Sequence, residues 1–462
     1  MKIASVLALL VASTAAQQIG TVNPEVHPVV IDANWRWVHT VDGYDPCRNN
    51  DVWNATICPD PTTCAKNCAI DGVDYTAQGV TTDGGDIHVK LNNRMYILED
   101  DHNYRLYKVL NREFTFDVDM SQVPCGGNGA VYFVPMEQDG GTSKYPTNKA
   151  GAAYGTGYCD AQCPGGINFV NGQANIKNVG QCCAEMDIWE ANSISTVYTP
   201  HTCYNEGVFT CDNPTDCNSC DKGGCGANAY AGGFRSFYGP GSTFNVDTTK
   251  PFTVVTQFYT DDNTPNGNLV EIKRFYVQNG KKIENPNSIT DSFCSWATDF
   301  QTKGGMKGMG EALRPGMVLA LSVWTGDMSW LDSGNSGSCP SKPPPVTSAP
   351  TTFSNIRLGE IGSTTATTPT PSTPSPTSSQ TVAPTPAATT VVPTPAVTVA
   401  PTPAATTAAP TPAPTTLDPS AAGNWLQCGG NYYSGPKKCQ AGWFCQYWNE
   451  WYSQCLPNNQ AS

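Results

Sequence analysis

Charge is scarce in this chain of 462 residues, where only 14% are Asp, Glu, Lys or Arg. Cations are scarcer than anions, 26 against 39, which gives a net charge of −13. A surface of that sign repels polyphosphates and acidic headgroups, so nucleic acid and anionic membranes are excluded as partners. A neutral polymer at mildly acidic pH suits it better. Histidine occurs only 5 times, which weakens a metal reading of the cysteine pairs Cys159/Cys163 and Cys217/Cys220. No metal and no cofactor is expected. Beyond the first residues no apolar run is long enough to span a membrane. Helical periodicity is faint, with one short candidate around Ser295 to Gln301.

What is present is a secretory pattern. Lys2, the apolar run Ile3 to Ala12 and the small residues Ser13 to Ala16 read as a signal peptide over residues 1–16. Behind it stand 20 cysteines, an even number that points to disulfides formed in an oxidising compartment. The expected location is extracellular. Residues 17–362 form one compositional unit with recurrent alternating runs: Arg94–Leu98, Glu113–Asp119, Phe252–Tyr259, Met317–Val323 and Thr352–Arg357. Such runs read as strands, and Asp83-Gly84-Gly85, Gly126-Gly127-Asn128-Gly129 and Asn266-Gly267-Asn268 read as turns between them. The sum is an all-β domain of two packed antiparallel sheets, long enough that extended loops must elaborate one face.

Residues 363–422 change character to Pro, Thr, Ala and Ser, with Ala-Pro-Thr-Pro-Ala repeated from Ala383, Ala400 and Ala409. This composition cannot bury enough apolar surface to offset its ordering entropy, so it reads as an extended, O-glycosylated linker. The tail, 423–457, packs 4 cysteines among nine aromatic rings. So small a unit needs disulfide staples and cannot bury all those rings. Some must form an exposed face, where flat rings can stack on sugars.

The remaining feature is Cys182-Cys183-Ala184-Glu185-Met186-Asp187-Ile188-Trp189-Glu190-Ala191-Asn192. It reads as a strand lining a cleft. On a regular strand Glu185 and Asp187 share one face, while Glu190 has the wrong parity and its Cα lies about 16 Å from that of Glu185, at about 3.3 Å per residue. Two carboxyl groups about 5–5.5 Å apart suit retaining glycoside hydrolysis. A bulge or bend between Asp187 and Glu190 would restore the facing and shorten the reach, and one is predicted there. Asp187 could then orient an ionised nucleophile by a hydrogen bond, and a nearby negative charge would keep a proton on the acid. A solvated acidic strand edge or a calcium site is the alternative that the spacing leaves open.

The segment resembles the signature of glycoside hydrolase family 7, the secreted cellulases. The resemblance extends over Val30–Trp37, Gly157–Cys163, Thr199-Pro200-His201, Tyr238–Gly241 and Trp330–Ser333. It implies a curved β-sandwich with a substrate cleft and a retaining mechanism. The family's nucleophile falls on Glu185, its assisting acid on Asp187 and its acid/base on Glu190, with His201 beside them. Substrate-binding positions fall on Trp35, Trp37, Asn128, Tyr158, Asp160, Gln162, Trp324 and Trp330. The implied disulfides are 47–68, 58–64, 125–339, 159–183, 163–182, 203–220, 211–217 and 225–294. A segment of the family's N-terminus is missing between Pro28 and Val29, which bears on the packing of the edge strand.

The tail resembles the fungal-type cellulose-binding module. That resemblance implies bridges 428–445 and 439–455, a stacking triad of Trp425, Trp451 and Tyr452, and polar contacts from Asn449 and Gln454, with Tyr433 and Phe444 as core rings. Several loops that roof the cleft in the family's chain-end enzymes are short here, notably Ile176–Gln181 and Ser333–Ser338. The turn Asp262–Asn268 is long, as in the family's endoglucanases. An open cleft and internal cutting are therefore expected, in a monomer acting on cellulose. A cellobiohydrolase, a β-1,3(4)-glucanase and a non-catalytic wall-binding protein are the alternatives. Asn54-Ala55-Thr56 is a glycosylation sequon placed on a surface loop.

Overall fold

The computed structural model describes residues 26, 28–49, 52–212, 217–365, 418, 421, 427–429, 436–441, 443–449 and 452–457. The signal segment, most of the linker, Trp425, Tyr433 and Trp451 lie outside them. The chain divides into two compact units, within 1–371 and within 372–462.

The first unit is built on two antiparallel sheets. Its main strands are β1 (Val29–Ile31), β2 (Asn93–Asp100), β3 (Arg112–Asp119), β4 (Gly127–Val134), β5 (Glu185–Ala191), β6 (Thr196–His201), β7 (Phe252–Thr260), β8 (Leu269–Gln278), β9 (Met317–Thr325) and β10 (Thr351–Glu360). A nine-stranded sheet runs β1–β2–β9–β4–β5–β6 and ends on Ala227–Asn228. A seven-stranded sheet holds β8–β7–β3–β10 at its centre. All five alternating runs read from the sequence are among these strands.

Alternation decides which side chains meet between the sheets. Along β4, Val131 and Phe133 enter the main core, while Ala130, Tyr132 and Val134 form a second apolar layer on the sheet's outer face. Phe133 meets Phe114 of the opposite sheet at 5.0 Å between ring centroids, and Trp189 meets Phe116, Phe252 and Tyr276 at 5.8–6.2 Å. Edge-to-face pairs of this kind add about 0.5–1.5 kcal/mol each beyond area burial. The edge strand packs despite its missing segment: β1 pairs with β2, and Val30 and Ile31 are buried.

Three sequence expectations change. Gly127-Asn128-Gly129 opens strand β4 instead of turning. A Cβ on Gly127 would stand 3.1 Å from Val123, and one on Gly129 would stand 3.0 Å from Met120, so these glycines serve close packing inside a strand. The helix expected near Ser295–Gln301 splits into a 3-10 turn, Phe293–Trp296, and a helix, Thr298–Thr302. A longer helix at Gly305–Leu313 follows, its buried Met306, Met309 and Leu313 hidden among glycines. One of these, Gly310, lies where a Cβ would stand 2.8 Å from Leu269.

All ten disulfides implied by the resemblances form, and no described cysteine is free. Cys159–Cys183 and Cys163–Cys182 tie the loop around Asp160 to the entrance of β5. The second unit is a three-stranded sheet of Gln427–Gly429, Tyr452–Pro457 and Trp443–Asn449. Trp443 packs on its cysteine core, and Phe444 is half-buried.

Ser363–Thr365, read from the sequence as the start of the linker, forms a 3-10 turn built into the domain. The fully buried Glu113 carboxylate accepts from the N–H groups of Gly362 (2.7 Å) and Thr364 (2.6 Å), from both hydroxyls of Ser363 and Thr364, and from Gln257 Nε2 (2.8 Å). Replacing Glu113 by Gln puts an amide donor among five donors. Stability should fall by on the order of 3 kcal/mol, read as a lower denaturant midpoint; a loss below about 1 kcal/mol would contradict the clasp.

Candidate active site

Strand β5 carries the three carboxylates, and its register shows how they meet. Against β4, Val131 pairs with Trp189 and Tyr132 with Asp187, which leaves Ile188 without an opposite residue. Against β6 the register shifts across the same place, from Asp187–Thr199 to Glu190–Val197. Ile188 and Trp189 therefore both turn into the core, each 0% exposed. Glu185, Asp187 and Glu190 all line one cleft of about 840 Å³. The bulge lies where the parity of the sequence requires it.

Each carboxylate has its own holder. Glu185 Oε2 accepts from the N–H of Ala161 at 3.1 Å, on the loop clamped by the two disulfides. Asp187 does not serve Glu185 as the sequence reading expected; its Oδ2 faces His201 Nε2 at 3.1 Å. His201 Nδ1 lies 2.9 Å from the carbonyl of Asp221, which can only accept, so that nitrogen carries a proton. Glu190 Oε1 accepts from Asn128 Nδ2 at 2.9 Å, and Asn128 Oδ1 in turn accepts from the N–H of Ala191 at 3.0 Å. Tyr158 and the N–H of Gln162 both donate to Asp160, each at 2.7 Å.

Burial pushes Glu185 well above the usual carboxylate range, and the charges of Asp187 and Asp160 add to it, against the Ala161 N–H. Burial and Asp187 raise Glu190 likewise, against Asn128 and His201. Burial also raises Asp160, against the Tyr158 hydrogen bond. For His201 burial acts downwards, but the hydrogen bond and charge of Asp187 overcome it and hold the imidazole at about 9. The site thus pairs an imidazolium with Asp187 and keeps a proton within the group of glutamates. Such a site can supply one acid and one nucleophile or base.

Of the other residues singled out in the sequence, Trp35, Tyr158, Asp160, Gln162, Trp324 and Trp330 line the cleft. Two do not. Trp37 is outside the lining, stacked on Tyr44 at 5.9 Å and 12°. Trp35 ends a 3-10 turn, Ala33–Trp35. Asn128 is fully buried and holds Glu190 from beneath, with no surface on the cleft.

Sequence reasoning missed Arg94 and Trp296, which also line the cleft. Arg94 sits 3.3 Å from the ring centroid of Tyr158 and forms an ion pair with Asp32 at 3.0 Å. Its parity with Tyr96 on β2 was the available signal. In the tail unit Asn449, Tyr452 and Gln454 lie on the two longer strands, and Asn449 pairs with Tyr452. The clusters Cys163/Cys182/Cys211/Cys217, Cys47/Cys58/Cys68 and Cys428/Cys439/Cys455 are all disulfide-bonded and offer no thiolate to a metal.

The folded protein holds the His201 proton more tightly than an unfolded chain, whose histidine titrates near 6.5. Its stabilising contribution is complete below about pH 6.5 and is lost as pH rises through about 9. The difference in unfolding free energy between the wild type and His201→Gln should shrink by on the order of 3 kcal/mol across that window. A pH-independent difference would contradict the imidazolium–Asp187 pair.

Comparison with known proteins agrees with this arrangement. The family description "Glycosyl hydrolase family 7" matches residues 10–365, and "Fungal cellulose binding domain" matches 424–452. A family 7 cellobiohydrolase from Daphnia pulex is 41% identical, with a TM-score of 0.68, over 75% of this chain and 99% of that one. The Humicola insolens endocellulase is 38% identical, with a TM-score of 0.66, over 75% of this chain and 100% of its own. A cellobiohydrolase from Melanocarpus albomyces, solved with cellotetraose, is 34% identical, with a TM-score of 0.66, over 75% and 99%. The chain belongs to glycosyl hydrolase family 7, the cellulase family, and carries a fungal cellulose binding domain joined to its catalytic unit.

Proposed function

We propose that the chain is a secreted, monomeric endo-β-1,4-glucanase that hydrolyses cellulose with retention of configuration. The observation that carries this reading is the bulged strand, which brings Glu185, Asp187 and Glu190 to one face of a cleft lined by Trp35, Trp296, Trp324 and Trp330. Glu185 attacks the anomeric carbon, while Glu190 donates its proton to the departing glycosidic oxygen. Glu190 then takes a proton from the water that releases the glycosyl-enzyme. The Ala161 N–H favours the ionised form of Glu185, and burial together with the Asp187 charge favours the protonated form of Glu190. Asp187, paired with His201, stands on the same strand between them.

Internal cutting is supported by how little the loops add over the cleft. The segment after Asn175 is a tight turn in which Asn175 accepts from the N–H of Val179 (2.7 Å) and donates to its carbonyl (2.9 Å). The loop after Asp332 closes on itself within Ser333–Cys339. Trp296 and Trp330 remain 47% and 45% exposed, as in a groove entered from the side. Gly226, Ala231 and Ser336 also line the cleft and add small side chains to it.

Secretion fits the ten disulfides. The tail would stack Trp425, Trp451 and Tyr452 on a cellulose surface, with Asn449 and Gln454 as polar contacts. The linker would then hold the catalytic unit at raised local concentration.

The test follows the viscosity of a soluble cellulose derivative against the reducing ends released. Internal cutting lowers viscosity steeply while few ends have appeared; a slow fall in proportion to the ends would indicate the cellobiohydrolase mode. Glu185→Gln should lower turnover by roughly 10³-fold or more and leave adsorption to cellulose intact. Near-normal turnover in that variant would overturn the mechanism.

A further inference from the structure

A cation lies in the core where no substrate reaches. Arg274, on β8 of the seven-stranded sheet, is 1% exposed and stands in the same inward row as Ile272 and Tyr276. Among the described residues it has no carboxylate partner, and its Nη1 makes no hydrogen bond. An unpaired charge is a costly filling for an apolar core, so its contacts matter. Its Nη2 donates to the carbonyl of Ile188, the bulged residue of β5, and its Nε donates to Thr256 Oγ1 at 3.0 Å. The guanidinium lies 4.4 Å from the ring centroid of Tyr198 and 5.7 Å from that of Trp189. Tyr198 stands in β6 opposite the bulge, between the Thr199 and Val197 pairings.

The group therefore touches all the parts of the register shift from the side away from the cleft. A bulge takes a residue out of the ladder, and its backbone carbonyl needs a donor when it is buried. Without one the strand gains by relaxing towards a regular register, which would turn Glu190 from the cleft towards the core. Resting on the reading of Glu190 as proton donor, we infer that Arg274 is a positioning residue that holds the Ile188 bulge and so sets where Glu190 presents its proton.

The consequence is selective. Hydrolysis of a dinitrophenyl cellobioside releases a leaving group that departs without protonation, whereas cellopentaose releases a sugar hydroxyl that needs it. Arg274→Met should lower kcat/KM, which reports the step in which the leaving group departs, at least tenfold on cellopentaose and less than threefold on the dinitrophenyl substrate. Arg274→Lys keeps the charge and one donor, and should show the same split to a smaller degree. Should the Met variant fail to fold, the Lys variant decides alone. An equal loss on both substrates, or a wild-type ratio in Arg274→Lys, would overturn the inference. Glu190→Ala serves as the reference. If it loses no more on cellopentaose than on the activated substrate, the proton-donor reading fails. If it shows the split and the Arg274 variants do not, only the positioning role fails.

Discussion

A strand shows alternate residues to opposite faces, so two side chains five residues apart cannot meet on one face of a regular strand. On β5 the constraint is broken at Ile188, and much of the catalytic unit is arranged around that break. Two residues in succession, Ile188 and Trp189, enter the core, and the core has room for them. Phe116, Phe252 and Tyr276 surround the indole from the opposite sheet, and Arg274 meets the bulged carbonyl. On the other side the strand's entrance is fixed by two disulfides to the loop that supplies the Ala161 N–H. The shift is thus gripped from both faces, and the three carboxylates inherit its geometry.

Bringing those groups together also sets their electrostatics. Each glutamate is drawn away from water and each feels Asp187, so both are pushed well up from the ordinary range, although Glu190 keeps part of its surface on the cleft. The group stays tractable because His201 carries a balancing charge on Asp187, and because a backbone N–H and the Asn128 amide each hold one glutamate. Like charges crowded on one strand would otherwise be a liability in the fold. Under the proposed mechanism they are the means by which one carboxyl keeps its proton while another gives it up.

Much of this was legible in the residues. The alternating runs gave the strands, and the parity of Glu185, Asp187 and Glu190 demanded the bulge before any coordinates existed. Transfer of a resemblance placed the bridges. What escaped had a common cause: local pattern says nothing about what approaches from elsewhere in the chain. Gly127 and Gly129 looked like a turn because the crowding by Val123 and Met120 that requires them is not local. The helix Gly305–Leu313 was masked by glycines that let it lie against Leu269. Arg274 follows Lys273 in the chain, and only the packing of the sheets shows it in the core. In the tail, aromatic density alone could not tell that Trp443 lies on the cysteine core.

The central claim is that the bulge brings Glu185 and Glu190 within the short separation that a double displacement needs. The most direct measurement is proton NMR of the first sugar released from a soluble cello-oligosaccharide, taken before mutarotation. The account predicts the β-anomer as the initial product, decaying towards the equilibrium mixture. Initial release of the α-anomer would mean a single displacement by water, and the assignment of Glu185 as nucleophile would be wrong.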